Sequence, residues 1–439
     1  MADVQKLFGT DGVRGRANTD LSPDVAFSLA RAAGEGSDGP VVIGRDTRRS
    51  GPMLASALHA GFNSVGVDTV DLGIIPVGAV SRLGRDTGSR FGVMVSASHN
   101  PAPDHGIKFF GNDGAKLSDE REAAIEERYH RAGPWRSPGG AGVGIQSVMT
   151  DAVERYVGYL AESFNYSMRG LSFVLDCANG AAFRAAPDLF RRLGAEVEVV
   201  NAEPDGMNIN LNCGATHPEF LAEHTAGRVG LCFDGDADRL IAVDEDGEIV
   251  DGDVLMAIFA RHLKEQGKLK RDLVVATVMS NLGFRKAMQD LDIEMIATRV
   301  GDRYVLEEMR RTRAVLGGEQ SGHIILSDRA TGDGLRSALQ LASVMASTGR
   351  ELRELRTVMR SYPQVLQNIT VPNKAGLDES APIWDAVRDA EERLHGEGRI
   401  LVRASGTEPL VRVLVEALDA ATAEATASAV SAVVVEQLG

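Results

Sequence analysis

The chain has 439 residues, is 44% hydrophobic and 25% charged, and carries a formal net charge of −15. That length predicts roughly three or four domains of about 100–150 residues, with ample apolar material for their cores. The acidic excess argues against a nucleic-acid surface, and no apolar run reaches the ~18 residues of a membrane span.

Taken in chain order, strand-like runs fall at 41–43, 67–72, 91–95, 172–176, 195–200, 229–233, 273–278 and 293–297. Helical stretches at 22–33, 52–65, 184–193 and 282–290 lie between several of them. Short β-branched runs alternating with helices predict α/β units with mostly parallel sheet. A Gly/Pro-rich stretch, 133–144, follows a charge-dense helix at 119–132 that reads as a solvated face. A helical stretch after Asp151 starts a second block. Asp251-Gly252-Asp253 suits the start of a helix over 254–266. Near Pro363 the order changes to strand 365–371, helix 381–395, strands 399–403 and 411–417, and helix 421–437, a small α+β domain. The expected domains are therefore 1–148, 149–249, 250–363 and 364–439. Cys177, Cys213 and Cys232 show no CxxC spacing, which suits buried packing in a reducing cytoplasm, and residues 1–10 contain no signal-peptide core.

Several predicted strands end in polar loops, where ligands of such sheets bind. After 91–95 comes Ser96-Ala97-Ser98-His99-Asn100-Pro101. It reads either as a strand-ending turn or as an exposed nucleophile. Adjacent Ser98 and His99 do not suggest a hydrolase triad, and the GxSxG elbow is absent. After 229–233 comes Asp234-Gly235-Asp236-Ala237-Asp238-Arg239. On an extended segment the alternating aspartates share a face and offer three oxygen ligands to Mg²⁺. A calcium loop is disfavoured, because position six is Arg239 and the following Leu240-Ile241-Ala242-Val243 reads as a strand. Arg239 itself could hold the carboxylates or a substrate phosphate. Lys108 is the nearest strong base candidate. Beside Mg²⁺ and arginines its proton affinity is expected to fall.

Gly317-Gly318-Glu319-Gln320-Ser321-Gly322-His323 offers donors and acceptors suited to sugar hydroxyls. Arg403-Ala404-Ser405-Gly406-Thr407-Glu408-Pro409, with Arg412, reads as an anion nest and not as a Walker loop. Gly9-Thr10-Asp11-Gly12-Val13-Arg14-Gly15 reads as flexible backbone presenting one guanidinium. A phosphorylatable serine with a divalent-cation site suggests phosphoryl transfer. A Mg²⁺-dependent phosphatase with Asp234 as nucleophile and a non-catalytic sugar-phosphate sensor are the competing classes.

Together these segments resemble the α-D-phosphohexomutase superfamily, with the motifs in the expected order over essentially the whole chain. The resemblance is strongest to the branch acting on hexosamine phosphates, through Phe8–Gly15, the Ser98 loop, Asn208-Ile209-Asn210, Cys213 to Pro218, Ala276 to Asn281 and Gly318 to His323. It implies three related mixed-sheet α/β domains plus a smaller C-terminal α+β domain around a central cleft. It implies that Ser98 is a phosphoserine whose phosphate shares one Mg²⁺ with Asp234, Asp236 and Asp238. It implies sugar recognition by Glu319 and Ser321, and phosphate recognition by Arg403, Ser405, Gly406, Thr407 and Arg412. His99 and Arg239 are further substrate contacts. Arg14 and Lys108 match positions near the transferring phosphate, with Lys108 the first choice of general base and His323 the second. The activity it implies is interconversion of glucosamine 6-phosphate and glucosamine 1-phosphate through glucosamine 1,6-bisphosphate. Glucose or mannose phosphates are the runner-up substrates, and a cytoplasmic homodimer is the family expectation.

Overall fold

Strands Val41–Arg45 and Phe91–Val95 are almost wholly buried, as expected of parallel strands covered by helices on both faces. Helix Pro23–Gly34 starts where Ser22 Oγ accepts the Val25 backbone N–H at 3.3 Å and proline occupies the first turn. It packs beside helix Gly51–Ser64, and Leu29, Leu54, Leu58 and Phe62 join Val41, Ile43, Val93 and Val95 in one core. A computed structural model describes residues 6–9, 11–131, 133–326, 331–405 and 408–439. Its chain divides into two compact units, Met1–Met279 with Ile293–Val358, and Ser280–Asp292 with Met359–Gly439.

The first unit holds three mixed sheets. The seven-stranded one runs Phe8–Gly9, Gly12–Arg16, Asp104–Phe110, Phe91–Val95, Val41–Arg45, Thr69–Ile74, Gln146–Val148. Its last four strands are mutually parallel, and the first three add antiparallel pairings. The five-stranded sheet runs Ile249–Val250, Leu240–Val243, Val229–Phe233, Ser172–Asp176, Glu196–Val200. The four-stranded sheet runs Glu294–Thr298, Leu273–Thr277, Leu316–Gly318, Ile324–Leu326. Each sheet is parallel in its middle and carries an antiparallel edge, so it is less parallel than the strand–helix alternation alone predicts.

Several elements escape the sequence pattern. Gly12–Arg16 was expected to be flexible backbone; it is a strand, because it pairs antiparallel with Asp104–Phe110 in the register Arg14↔Gly106. Helices Val77–Asp86, Asp302–Thr312 and Gly334–Thr348 were likewise not read from sequence. The last starts at a glycine and depends on Asp333, whose carboxylate accepts the Arg336 N–H at 3.0 Å. Asp251 caps helix Gly252–Glu265 as expected, accepting the Val254 N–H at 3.0 Å. Helix Asp119–Arg131 is not solvated all round, since Glu122 and Ile125 are buried.

The second unit is smaller. Strands Gln364–Thr370, Leu410–Ala417 and Gly398–Ala404 form an antiparallel sheet, with helices Ala381–Arg393 and Ala420–Leu438. Val411, Val413 and Val415 pack with Ala423, Val430 and Val434. Helix Leu282–Asp290 also belongs to this unit. The three cysteines are buried free thiols, and burial pushes Cys213 up to about 12. Among the described residues no helix is long and apolar enough to cross a membrane.

Candidate active site

Two strand ends of the first unit meet at the site. Phe91–Val95 delivers the serine loop, and Val229–Phe233 delivers the aspartates. Ser98 is 2% exposed, and its Oγ donates to Asp234 Oδ2 at 2.6 Å, across 136 positions of sequence. Its φ of +50° lies in the left-handed region, which is unfavourable for a residue with a Cβ. Gly235 must be glycine here, because a Cβ would stand 2.4 Å from the Ser98 carbonyl oxygen. His99 Nδ1 is 3.4 Å from Ser98 Oγ, and burial followed by the nearby Arg239 charge lowers the ring to about 4.

Asp234, Asp236 and Asp238 are all buried and offer ligand oxygens within 4.8 Å of one another. The reason differs from the one expected. The segment is a turn, not an extended strand: Ala237 has a φ of +58°, and its N–H donates to the Asp234 carbonyl at 3.0 Å. Asp236 Oδ1 and Asp238 Oδ1 have no hydrogen-bond partner among the described residues. Unpaired buried carboxylate oxygens are costly unless a cation meets them, so this donor set fits a hard divalent ion. The calcium-loop alternative fails. Leu240–Val243 is a strand, and Glu245 accepts the N–H groups of Leu352 and Arg353, each at 2.9 Å. Burial and mutual repulsion raise Asp234 and Asp236. Burial acts the same way on Asp238, but Lys108, His323 and Arg239 overcome it and hold that carboxyl below its usual range.

Lys108 was expected to lose proton affinity among cations. Its Nζ instead lies 3.0 Å from Asp236 Oδ2, 3.3 Å from Asp238 Oδ2 and 3.1 Å from Asp11 Oδ2. Burial works against the charge, but these three carboxylates outweigh it and hold the ammonium well above the ordinary lysine range. Arg14 reaches the same place because Gly106, its cross-strand partner, has no side chain; a Cβ there would stand 2.8 Å from Arg14 Cδ. Arg14 pairs with Asp11, and Asp11 also pairs with Lys116, which continues to Asp302. Asp11, Lys116 and Asp302 carried no assigned role in the sequence. Asp11 lay inside a noted motif, whereas Lys116 has no local signal at all.

A cavity of about 340 Å³ opens before these groups. Arg14, Ser98, His99, Asp238, Arg239, Glu319 and His323 line it, together with Asp11, Asn100, Lys116 and Asp302. Asp234, Asp236 and Lys108 lie beneath. Glu319 Oε1 accepts the Gly301 N–H at 3.0 Å. Arg239 N–H donates to Asp234 Oδ1 at 3.2 Å, and the surrounding carboxylates raise its guanidinium against the effect of burial. Ser321 Oγ and both ring nitrogens of His323 are buried without a hydrogen-bond partner among the described residues. His323 Nε2 is 3.4 Å from Asp302 Oδ2.

In the second unit, the antiparallel register puts Arg403 directly opposite Arg412. Like charges so placed repel. Burial, then Arg412, lowers the Arg403 guanidinium. Lys374 Nζ ties the loop by donating to the carbonyls of Ser405 (2.7 Å) and Glu408 (3.0 Å). Arg412 Nη2 donates to Glu408 Oε2 at 2.8 Å. Gly406 and Thr407 lie outside the described residues.

Comparison with known proteins places this geometry. Four models described as phosphoglucomutase/phosphomannomutase match in order: alpha/beta/alpha domain I over 5–134, domain II over 154–247, domain III over 251–362 and the C-terminal domain over 366–433. A curated phosphoglucosamine mutase from Staphylococcus aureus strain JH9 is 49% identical over 446 aligned positions, covering 99% of both chains, and the protein from strain N315 matches equally. A phosphoglucomutase/phosphomannomutase family protein from Burkholderia thailandensis superposes with a TM-score of 0.82 at 26% identity, covering 99% of each chain. Aspergillus fumigatus N-acetylphosphoglucosamine mutase, solved with GlcNAc-6P and magnesium, superposes with a TM-score of 0.71 at 19% identity, covering 98% of this chain and 95% of that one.

Proposed function

The chain belongs to the phosphoglucomutase/phosphomannomutase family and is an intramolecular phosphotransferase, and from that premise we propose that it interconverts glucosamine 6-phosphate and glucosamine 1-phosphate. The observation that carries the reading is the 2.6 Å approach of buried Ser98 Oγ to Asp234, at the edge of a cavity lined by Arg14, Arg239, Glu319 and His323. Phosphoryl transfer asks chiefly for positioning and charge neutralisation, and this site concentrates both.

In the proposed cycle Ser98 carries the phosphoryl group. Its P–O bond breaks as a bond forms to the free sugar hydroxyl, whose proton passes to a base. A proton returns to Ser98 Oγ, and glucosamine 1,6-bisphosphate results. The bisphosphate turns end for end; its other phosphoryl group then bonds to Ser98 Oγ, which gives up its proton, as the sugar P–O bond breaks and the freed sugar oxygen takes up a proton. Asp234, Asp236 and Asp238, with the Ser98 phosphate, would hold one Mg²⁺, which when bound neutralises phosphoryl oxygen charge. Lys108, whose Nζ faces three carboxylates, is assigned to charge neutralisation with Arg14. The base is assigned to His323, whose ring nitrogens have no hydrogen-bond partner among the described residues; this reverses the order expected from sequence. Glu319 and Ser321 are assigned to sugar hydroxyls, and His99 and Arg239 to substrate at the Ser98 end. In the second unit the repelling pair Arg403 and Arg412, with Ser405, Gly406 and Thr407, is assigned to phosphate. The four segments 1–148, 149–249, 250–363 and 364–439 thus divide the work into phosphoserine, metal, sugar and phosphate loops. A cytoplasmic homodimer supplying UDP-N-acetylglucosamine synthesis completes the proposal, and the three unpaired buried thiols support that compartment.

Ser98→Ala tests the core of it. Intact mass should show a phosphate adduct of about +80 on the native chain only, and the variant should lose most turnover. Native-like turnover by the variant ends the phosphoserine mechanism. Parallel assays with glucosamine, glucose and mannose phosphates decide the substrate.

A further inference from the structure

Two segments outside the roles assigned so far are Asp46 to Arg48, which follows strand Val41–Arg45, and Asn208-Ile209-Asn210. Both lead to the main chain of the serine loop. Arg48, only 1% exposed, donates from Nε to Asp46 Oδ2 (2.9 Å), from Nη1 to the Pro101 carbonyl (2.5 Å), and from Nη2 to the carbonyls of Asn100 (2.7 Å) and Ser98 (3.0 Å). Asp46 Oδ2 also accepts from Ser96 Oγ at 2.6 Å, and Ser96 Oγ accepts the Ser98 N–H at 2.9 Å. From the segment that carries the aspartates, Asn210 Nδ2 donates to the same Ser98 and Asn100 carbonyls, at 2.9 and 3.1 Å. Its Oδ1 is buried with no partner among the described residues. Orienting an amide that way is unfavourable for the amide alone. It makes sense if both N–H groups are needed where they point.

We infer that Arg48 and Asn210 are positioning residues, a two-sided clamp on the Ser98 and Asn100 carbonyls that holds the serine loop in its transfer geometry. The inference rests on the phosphoserine reading above. A non-glycine residue persists at φ +50° only when its surroundings over-determine it. Relaxing that dihedral swings the Cα–Cβ bond, and with it Oγ, away from Asp234. The clamp thus sets the direction in which the phosphoryl group is offered, without either side chain reaching the reacting atoms. One jaw comes from the segment matched by domain I and the other from that matched by domain II, so the two segments stay in register at the transfer point.

The test uses the full chain with Asn210→Ala, and Arg48→Lys as the second variant, which keeps the charge but not the fork. Each is loaded with glucosamine 1,6-bisphosphate labelled in its phosphates, freed of excess, and mixed with unlabelled glucosamine 6-phosphate while passage of label from Ser98 to the sugar is followed in a single turnover. The expected result is a transfer rate and kcat lower by about 30–100-fold, with KM within about threefold, the pattern of misplacement at the reacting centre. A transfer rate within threefold of native, or a loss confined to KM, overturns the inference. So does failure of both variants to fold, which would make the clamp a folding element. A native chain that turns over no hexosamine phosphate defeats the underlying reading instead.

Discussion

Gly235→Ala isolates the contact between the serine and aspartate turns. Gly235 does not adopt a positive φ, so alanine is allowed by its backbone and only the methyl group matters. That methyl would stand 2.4 Å from the Ser98 carbonyl oxygen, 2.9 Å from Asn210 Nδ2 and 2.9 Å from Ile209 Cδ1, where ordinary contact begins at 3.4 Å. Relief requires the serine and aspartate turns to part by about 1 Å, a displacement of the kind that costs about 100-fold in rate, or ~2.7 kcal/mol of transition-state stabilisation. Overpacking of this kind costs about 1–3 kcal/mol of stability, too little to unfold a chain of this size. The assay is steady-state turnover of glucosamine 6-phosphate at saturating Mg²⁺, with the thermal midpoint read in parallel. We expect kcat to fall about 100-fold with KM nearly unchanged. Turnover within threefold of native, in a variant with a native midpoint, would refute the claim that the Ser98–Asp234 spacing limits the reaction.

Asp236→Asn removes a charge from the triad and a partner from Lys108; the Mg²⁺ concentration for half-maximal rate should rise by at least about tenfold, a loss seen even for residues that only support a metal ligand. An unchanged Mg²⁺ titration would move the cation elsewhere. Arg403→Ala should chiefly raise KM, because it removes one of two guanidiniums whose repulsion an anion relieves; a fall in kcat alone would contradict that assignment. His59 is buried, with Nδ1 2.8 Å from Thr69 Oγ, and burial lowers its pKa from the ordinary 6.5. The folded chain therefore binds fewer protons there than the unfolded one, and the stability this brings is full above pH 6.5 and lost as pH falls below it. Thermal midpoints at pH 7.5 and 5.5 should differ less in His59→Asn than in the native chain; equal differences would show that His59 does not titrate on unfolding.

The amino-acid sequence determined the local chemistry. β-Branched runs ending in glycine and aspartate located the sheets and the strand-end loops, and three aspartates within five residues located the cation site, because such signals need only neighbours in the chain. Tertiary structure decided everything that depends on convergence. It turned the aspartate segment back on itself instead of extending it, through the left-handed Ala237. It surrounded Lys108 with carboxylates from residues 11, 236 and 238, and so reversed the expected direction of its proton affinity. It also supplied the partners of Asp11 and Asn210, which lay inside noted motifs, and of Arg48 and Lys116, which carry no local signature. A buried charge takes its properties from whatever the fold brings within a few ångströms, and no spacing along the chain encodes that distance.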